Sequence, residues 1–225
     1  MSSTGSLELN DRIVALLRDE LGLAQRPPRA IAANTVLVGD RDVAQNLYVL
    51  HSGQMHIEYY PASFEGTRVI PIGFGPGALL LMHRVYDNRW DPGALVATTD
   101  AEVHPIPCEE FRRVMHASVE RLVLVTEFLA ARLTETRVRE GLWMERRVEE
   151  RVAMTLARIA SEQGLDRPGQ AAHLSLTHEL LADRCGLSRS RVSRELKRLE
   201  EEGLIRLGRN RVDLLDLQGL NPSGH

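Results

Sequence analysis

The chain has 225 residues, of which 43% are hydrophobic and 26% are charged, and its formal net charge is −3 at pH 7. These values are ordinary for a globular protein that buries a core. No apolar run is long enough to cross a bilayer, and the first residues lack the basic start and apolar stretch of a signal peptide, so we expect a cytoplasmic protein with no membrane partner. The two cysteines, Cys108 and Cys185, lie in different predicted domains, which argues against a disulfide framework.

The first part of the chain is predicted to form one helix followed by a β domain. Residues 1–5 are predicted to be a loose terminus, and apolar residues at helical spacing from Leu9 to Leu21 predict an amphipathic helix that ends at Gly22. Short runs rich in Val, Ile, Leu and Tyr then predict six strands: Thr35–Val38, Leu47–His51, Gln54–Tyr60, Arg68–Phe74, Leu95–Thr98 and Glu102–Ile106. Several short strands separated by turn residues predict a sandwich or jelly roll.

A long helix is predicted after the strands. A short helix over Glu109–Met115 comes first, and Ser118–Trp143 then contains no proline and is long for a globular helix. One apolar stripe along it consists of Leu122, Val125, Leu129, Leu133 and Thr136. The stripe is either core buried against the β domain or a seam between two copies of the chain. Its length and heptad-like spacing favour the homodimer seam.

The next segment is predicted to link this helix to a C-terminal domain. The helical pattern loosens over Gly141–Met144, where we place a hinge, and Val148–Ala160 predicts another amphipathic helix. Gln163–His173 contains two glycines and a proline and is therefore predicted to be a surface loop.

Two short helices and a hairpin are predicted over Leu174–Asp216. Thr177 and Ser188 are each placed to cap a helix, and Gly186 supplies a left-handed turn residue between the two helices. The inward positions of the second helix are Val192, Leu196 and Leu199. Two apolar runs around Gly208-Arg209-Asn210 predict a β-hairpin with a basic tip. Helix, turn, helix and hairpin together predict a winged helix-turn-helix.

Basic charge is concentrated in this predicted module. The segment Arg184–Arg211 holds nine Arg or Lys and four Glu, a local charge of +5, so the remainder of the chain carries −8. Arginines at the start of the second helix oppose its own dipole, because a helix N-terminus favours anions. An external polyanion such as DNA would be bound by them. The alternative is a solvated face of a helical bundle.

The module resembles the DNA-binding domain of the CRP/FNR family of bacterial transcription regulators. The matching residues are Leu176-Thr177, Leu181-Ala182, Gly186, Leu187-Ser188-Arg189, Val192-Ser193-Arg194, Leu196, Leu199-Glu200 and Gly203-Leu204-Ile205. The resemblance extends more weakly over about residues 30–216, where Asn46–Gly53 looks like a strand and turn of the family's β-roll.

The resemblance implies an α+β fold with an N-terminal β-roll of the jelly-roll, cyclic-nucleotide-binding-like kind, a long dimerisation helix and a C-terminal winged helix-turn-helix. We expect the domains at residues 1–117, 118–146 and 147–225. The family dimerises through a helix in this position. The implied protein is therefore a dimeric, sequence-specific transcription regulator whose partners are palindromic double-stranded DNA, a second copy of the chain and RNA polymerase.

The resemblance also implies the DNA contacts. The candidate residues are Arg189, Ser190, Arg191, Ser193, Arg194, Lys197 and Arg209. Arg189 and Arg194 occupy positions that contact guanines in the CRP branch, and arginine can donate two parallel hydrogen bonds to guanine. Ser190 stands where relatives commonly use a glutamate that accepts from cytosine, so base preference should differ there. Arg191, Lys197 and Arg209 are expected to meet phosphates.

The residues that bind cyclic nucleotides in the family are replaced in this chain. Such members carry a Glu after a Phe-Gly-x-Gly turn and an Arg further on, whereas here Ala78 follows Phe74–Gly77 and the arginine position aligns near Asp91. We therefore expect no response to cyclic AMP and no cofactor. Two alternatives stay open at this stage: Arg84 or Arg89 in the same loop stands in for the missing arginine, or the protein binds an unrecognised ligand. A third is control by abundance alone.

Other chemistries have weak support in the sequence. Haem binding would have to use His83 or Cys108, and two cysteines cannot hold the four-cysteine iron–sulfur cluster of some relatives. The other histidines are scattered and predict no metal site. The sequence holds no phosphate loop, nucleophile elbow or supported acid–base pair, so we expect a protein that is not an enzyme.

Overall fold

A computed structural model describes residues 4–39, 42–43, 45–59, 68–87, 93–144, 147–163, 165 and 172–220. The chain divides into two compact units. The first, called here the β-roll unit, consists of Thr4–Tyr59 and Ile72–Glu135. The second, called the C-terminal unit, consists of Thr136–His225 together with Met1–Ser3 and Tyr60–Pro71. The expected boundaries at residues 117 and 146 stay a prediction.

Among the residues that the structure describes, eight strands form two four-stranded sheets in the N-terminal half of the chain. They are β1 (Arg29–Ile31), β2 (Val36–Val38), β3 (Asn46–Ser52), β4 (Met55–Tyr59), β5 (Val69–Phe74), β6 (Leu79–Leu80), β7 (Ala94–Ala97) and β8 (Ala101–Pro107). The strand orders are β1-β8-β3-β6 and β2-β7-β4-β5. All six predicted strands are present and the α+β fold is confirmed, whereas β1 and β6 were not predicted because two or three residues show no periodicity.

The alternation of side chains along β3 explains why both faces of its sheet are buried. Tyr48 and Leu50 point into the space between the sheets, where they join Met55 and Leu95. Leu47 and Val49 point to the other face and pack with residues of the surrounding helices. Because successive side chains of a strand point to opposite faces, a sheet covered on both sides gives the continuous apolar run seen in β3.

The helices of the β-roll unit cover the outer face of that sheet. They are α1 (Thr4–Leu21), α2 (Cys108–Met115) and the start of the long α3 (Val119–Met144). Thr4 and Gly5 are helical, so the predicted loose terminus is wrong at these two residues, whereas residues 1–3 lie outside the described part. None of the helices that the structure describes is long and apolar enough to cross a bilayer.

The predicted seam on α3 is wrong at Val125, whereas Leu122 and Leu133 of the same stripe are exposed. Val125 is 4% exposed and lies in the core with Leu124 and Phe128, and Leu129 packs against the same core. The core alternative therefore holds for this part of the stripe, because α3 turns that side to α1 and the sheet. A different heptad-spaced row lies exposed, formed by Val119, Val123, Thr126, Ala130 and Leu133. We call this row the exposed α3 stripe.

The C-terminal unit contains the remaining elements around its own core. They are α4 (Val148–Glu162), β9 (Ala172–Leu174), α5 (His178–Cys185), α6 (Arg189–Glu201), β10 (Ile205–Gly208), β11 (Arg211–Leu214) and α7 (Leu217–Leu220). The strands form a sheet in the order β10-β11-β9. Cys185 is 1% exposed in this core, and burial raises the pKa of its thiol to about 11.

Two predictions about the linking segment need revision. The predicted loop Gln163–His173 is wrong at Ala172 and His173, which belong to β9 and pair with Leu214 and Asp213 of β11. Its residues 164 and 166–171 lie outside the described part. α3 continues through Gly141–Met144 without a break, so the predicted loosening of the helix there is wrong. A hinge at the junction between α3 and α4 stays a prediction, and residues 145–146 of that junction lie outside the described part.

Candidate nucleic-acid interface

The predicted helix-turn-helix is present in the C-terminal unit. The hydroxyl oxygen of Thr177 accepts a hydrogen bond from the Leu180 amide at 3.1 Å and caps α5. Gly186 ends α5 with a φ of 63°, a left-handed conformation that glycine adopts without strain. The hydroxyl oxygen of Ser188 accepts from the Arg191 amide at 3.5 Å at the start of α6. The three local signals in the sequence therefore set the turn between the helices.

Helix α6 has an apolar side and a basic side. Val192, Leu196 and Leu199 are at most 1% exposed and pack in the core of the unit. The opposite side, called here the recognition face, contains Arg189, Ser190, Arg191, Arg194 and Lys197, all exposed, and the half-buried Ser193. The inward and outward assignments made from the helical period are confirmed.

The cations of the recognition face have no counterions among the residues that the structure describes. Among the residues that the structure describes, Arg189, Arg191, Arg194 and Lys197 form no ion pair, and the first turn of α6 contains no acidic residue. Arg198 on the same helix differs, because it donates to Glu195 at 3.0 Å and to Glu202. These hydrogen bonds raise the pKa of Arg198, and the bond to Glu195 has the largest effect. The recognition face is thus a cluster of positive charge available to an external anion.

The two serines of the recognition face have partners within the unit. The hydroxyl oxygen of Ser190 lies 3.1 Å from that of Ser188. The hydroxyl oxygen of Ser193 lies 2.9 Å from Nδ1 of His178, the first residue of α5. His178 therefore belongs to this surface although the sequence analysis did not identify it. No signal pointed to it, because its partner is fifteen positions away, across the turn.

The hairpin of the module forms a wing with a basic tip. Strands β10 and β11 pair antiparallel, and the exposed Arg209 lies in the turn beside Asn210, whose φ is 53°. On the sheet, Asp213 accepts from Nη2 of Arg211 at 2.9 Å and lies 2.8 Å from Nδ1 of His173. The hydrogen bonds from Arg211 lower the pKa of Asp213 to about 2. Asp213 is therefore charged at neutral pH and fixes the guanidinium of Arg211.

A buried ion pair joins α5 to α4 behind the recognition face. Arg184 is 6% exposed and donates from Nη2 to the carboxylate of Glu162. The same carboxylate accepts from Nη1 of Arg158. Burial lowers the pKa of Arg184, whereas Glu162 opposes that shift. The pair holds the first helix of the module in place, because either partner alone would be a poorly solvated charge.

The turn Phe74–Gly77 and the residues after it are held from α1. The side chain of Asn10 donates to the carbonyl oxygen of Gly77 and accepts from the amide of Leu79, both at 2.9 Å. Arg84 is 1% exposed, and its Nη1 donates to the carbonyl oxygen of Asp42 at 2.9 Å. Arg89 and Asp91 lie outside the described residues.

The two candidate haem ligands differ in their exposure to solvent. His83 is exposed, whereas Cys108 is buried and burial raises the pKa of its thiol, which disfavours the thiolate that metals bind. Within the described residues, no group of three or more His, Cys, Asp or Glu side chains is arranged to hold a metal ion.

Comparison with known proteins gives one consistent relationship. The sequence model of the Crp-like helix-turn-helix domain matches residues 150–222. The cyclic AMP receptor protein of Thermus thermophilus is 30% identical over 177 residues, which cover 77% of this chain and 76% of the relative. The cAMP-activated global transcriptional regulator CRP of Haemophilus influenzae is 26% identical over 176 residues, with 77% of each chain covered.

Solved structures share the fold over most of the chain at lower identity. A CRP/FNR-family transcriptional regulator from Thermus thermophilus has a TM-score of 0.66 at 23% identity, over 87% of this chain and 96% of its own. FixK2 from Bradyrhizobium japonicum has a TM-score of 0.70 at 20% identity, over 87% of this chain and 95% of its own.

Proposed function

Because the chain belongs to the CRP/FNR family of transcription regulators and carries a helix-turn-helix DNA-binding domain, we propose that it binds a palindromic operator as a homodimer. Regulators of this family bind DNA and act as dimers. Transcription regulators are generally not enzymes, and we propose that this chain catalyses no reaction. Its place of action is the cytoplasm, where the operator lies, and RNA polymerase is the proposed partner in transcription.

The observation that carries the proposal is the unpaired basic charge of the recognition face. In helix-turn-helix proteins the second helix enters the major groove, and the two halves of a dimer contact half-sites about 34 Å apart. Helix α6 has the required arrangement, since its apolar side is buried and the other side exposes four cations that form no ion pair within the described part of the chain. We place α6 in the major groove and the wing beside the backbone.

The contacts divide into base reading and phosphate binding. Arg189 and Arg194 are proposed to read guanines, and Arg191, Lys197 and Arg209 to meet phosphates. Ser190 and Ser193 stay in the proposed interface, but each shares its hydroxyl with a neighbour within the unit. A hydroxyl that already has a partner discriminates less between bases, so the arginines should set most of the sequence preference.

Replacing a base-reading arginine and replacing a phosphate-binding arginine should change DNA binding in two different ways. Arg194→Ala is expected to flatten discrimination at one base pair of each half-site, where a good arginine–guanine pair contributes about 1–3 kcal/mol. Arg209→Ala should weaken all sequences alike and reduce the salt slope by about one for each half-site. The measurement is binding to single-base variants of an operator selected from a random library, at several salt concentrations.

The matched control for both variants is Arg198→Ala. Arg198 lies on the same helix, but its guanidinium is already paired with Glu195 and Glu202. Its removal should change neither discrimination nor salt slope. If Arg194→Ala weakened every operator variant equally, its proposed role in base reading would be wrong.

We propose that the second copy of the chain docks on the exposed α3 stripe. The predicted seam included Leu133, which is 57% exposed, together with Val125, which is buried within its own unit. The stripe places Val119, Val123 and Leu133 on one exposed side at coiled-coil spacing. The proposed domain division into residues 1–117, 118–146 and 147–225 assigns this helix the dimerisation role.

Cyclic AMP binding is the second candidate function, because two relatives carry that ligand in their names. We propose that this chain does not respond to it, since Ala78 stands where the family's nucleotide-binding members carry a glutamate. The buried Arg84 donates from Nη1 to the backbone carbonyl of Asp42.

Millimolar cyclic AMP is therefore expected to leave the melting temperature unchanged. A ligand present at 100 times its dissociation constant would add about 2.7 kcal/mol to the free energy of unfolding. The measurement is a thermal melt with and without the nucleotide, and the Thermus cyclic AMP receptor protein serves as positive control. A clear rise in the melting temperature would show that this part of the proposal is wrong.

A further inference from the structure

A hydrogen bond joins the two helices of the DNA-binding module on the recognition face. Nδ1 of His178 lies 2.9 Å from the hydroxyl oxygen of Ser193. Ser193 occupies the middle of the recognition face, since Arg189 and Lys197 lie four residues before and after it on the same helix side. His178 is half-buried at the first position of α5. The imidazole is thus fixed beside the row of cations.

His178 lies near DNA only if α6 enters the major groove, so this inference rests on the proposed function. In such complexes the first helix of the module crosses the phosphate backbone. A residue of α5 that touches the middle of the recognition face lies at the edge of the groove, where phosphates line the backbone. We infer that His178 is a further DNA contact and that its Nε2–H donates a hydrogen bond to a backbone phosphate.

The contact with Ser193 is compatible with the imidazole tautomer that the phosphate contact needs. In a neutral imidazole one ring nitrogen is a donor and the other an acceptor, and the partner of one nitrogen sets the state of the other. When the serine hydroxyl donates to Nδ1, the ring proton is on Nε2 and points away from Ser193. Ser193 is then a positioning residue that acts through His178, and its contribution to base reading is small.

The experiment compares variants of the full chain on two duplexes, an operator selected from a random library and an unrelated sequence. His178→Ala should weaken binding to both by a similar factor, about tenfold for each half-site, because a hydrogen bond to a charged group is lost without any base contact. Ser193→Ala should weaken binding less, and Ser193→Thr should restore it. In the His178→Ala background, Ser193→Ala should cause no further loss. His116→Ala, which removes a surface histidine of the β-roll unit, is the matched control and should have no effect.

A second variant tests whether His178 contacts DNA or only holds α5 and α6 together. His178→Arg should keep the affinity and steepen the salt slope by about 0.9 for each half-site, because a permanent charge would then face the phosphate. If His178 only holds the two helices together, His178→Arg should not steepen the salt slope. The inference is wrong if His178→Ala binds both duplexes like the unaltered protein, or if the losses from His178→Ala and Ser193→Ala add. Failure of the unaltered protein to bind any duplex would instead overturn the proposed function.

Discussion

The double substitution Val123→Glu and Leu133→Glu is expected to convert the dimer into monomers. Both side chains lie on the exposed α3 stripe, where Val123 is 48% and Leu133 is 57% exposed. Across a two-fold axis each glutamate would meet its own copy, so charges of the same sign would be buried together without partners. Operator affinity should fall by about 100-fold or more, because two half-sites would no longer be bound by one linked molecule.

Sedimentation and operator binding of the same samples test this prediction. Leu7→Glu is the matched control, because Leu7 is a leucine of α1 that is 41% exposed in the same unit. It should leave both the mass and the affinity unchanged. An unchanged dimer after the double substitution would place the interface on another surface.

Glu162→Ala is expected to destabilise the C-terminal unit by about 3–5 kcal/mol, the range seen when one partner of a buried ion pair is removed. The substitution would leave Arg184, which is 6% exposed, without its carboxylate, and it would also remove the partner of Arg158. The charge of Arg184 cannot be lost easily, since a guanidinium stays protonated in proteins. The expected result is a lower midpoint of urea unfolding together with loss of DNA binding near that midpoint.

Glu202→Ala gives the contrasting control for this effect. Glu202 forms an ion pair with Arg198 on the surface of α6, and such pairs four residues apart contribute about 0.3–0.5 kcal/mol. The two variants remove the same charge from the same unit but differ in the burial of the partner. Equal losses of stability would contradict the role assigned to the Arg184–Glu162 pair.

Helices and most strands with repeated apolar positions were predictable from the sequence, whereas the very short strands β1, β6 and β9 were not. The sequence indicated α3 and α6 through repeated apolar positions, and the caps at Thr177 and Ser188 through local chemistry. Strand β9 was missed because its three residues lie at the end of a segment rich in turn residues. Only pairing with β11, about forty residues later, makes it a strand.

The two apolar sides of α3 show a second limit of prediction from the sequence. Val125 and Val123 are both apolar and differ by two positions, yet one lies in the core and the other is 48% exposed. Periodicity predicts that a helix has an apolar side, but α3 has two, and it does not say which one its own unit covers. The packing of α1 and the sheet against Val125 decides the question.

The outward orientation of Arg189, Arg194 and Lys197 was predictable from the helical spacing, and the structure places them together on an exposed helix side. Their roles in DNA binding came from the family resemblance and stay a prediction. The link between His178 and Ser193 was not predictable, because it depends on the angle between two helices. No local pattern encodes that angle, which is set by the core that α5 and α6 share.

Each unit buries one cysteine, and the reactivity of that thiol reports local opening of the core around it. Cys185 is 1% exposed in the C-terminal core, and its pKa of about 11 leaves almost no thiolate at neutral pH. Cys108 is 8% exposed in the β-roll unit, and burial raises its pKa as well. Alkylating reagents react with the thiolate of an accessible cysteine, so each thiol reacts only when the structure around it opens. The two labelling rates therefore measure the local opening of each core separately, without any residue being introduced.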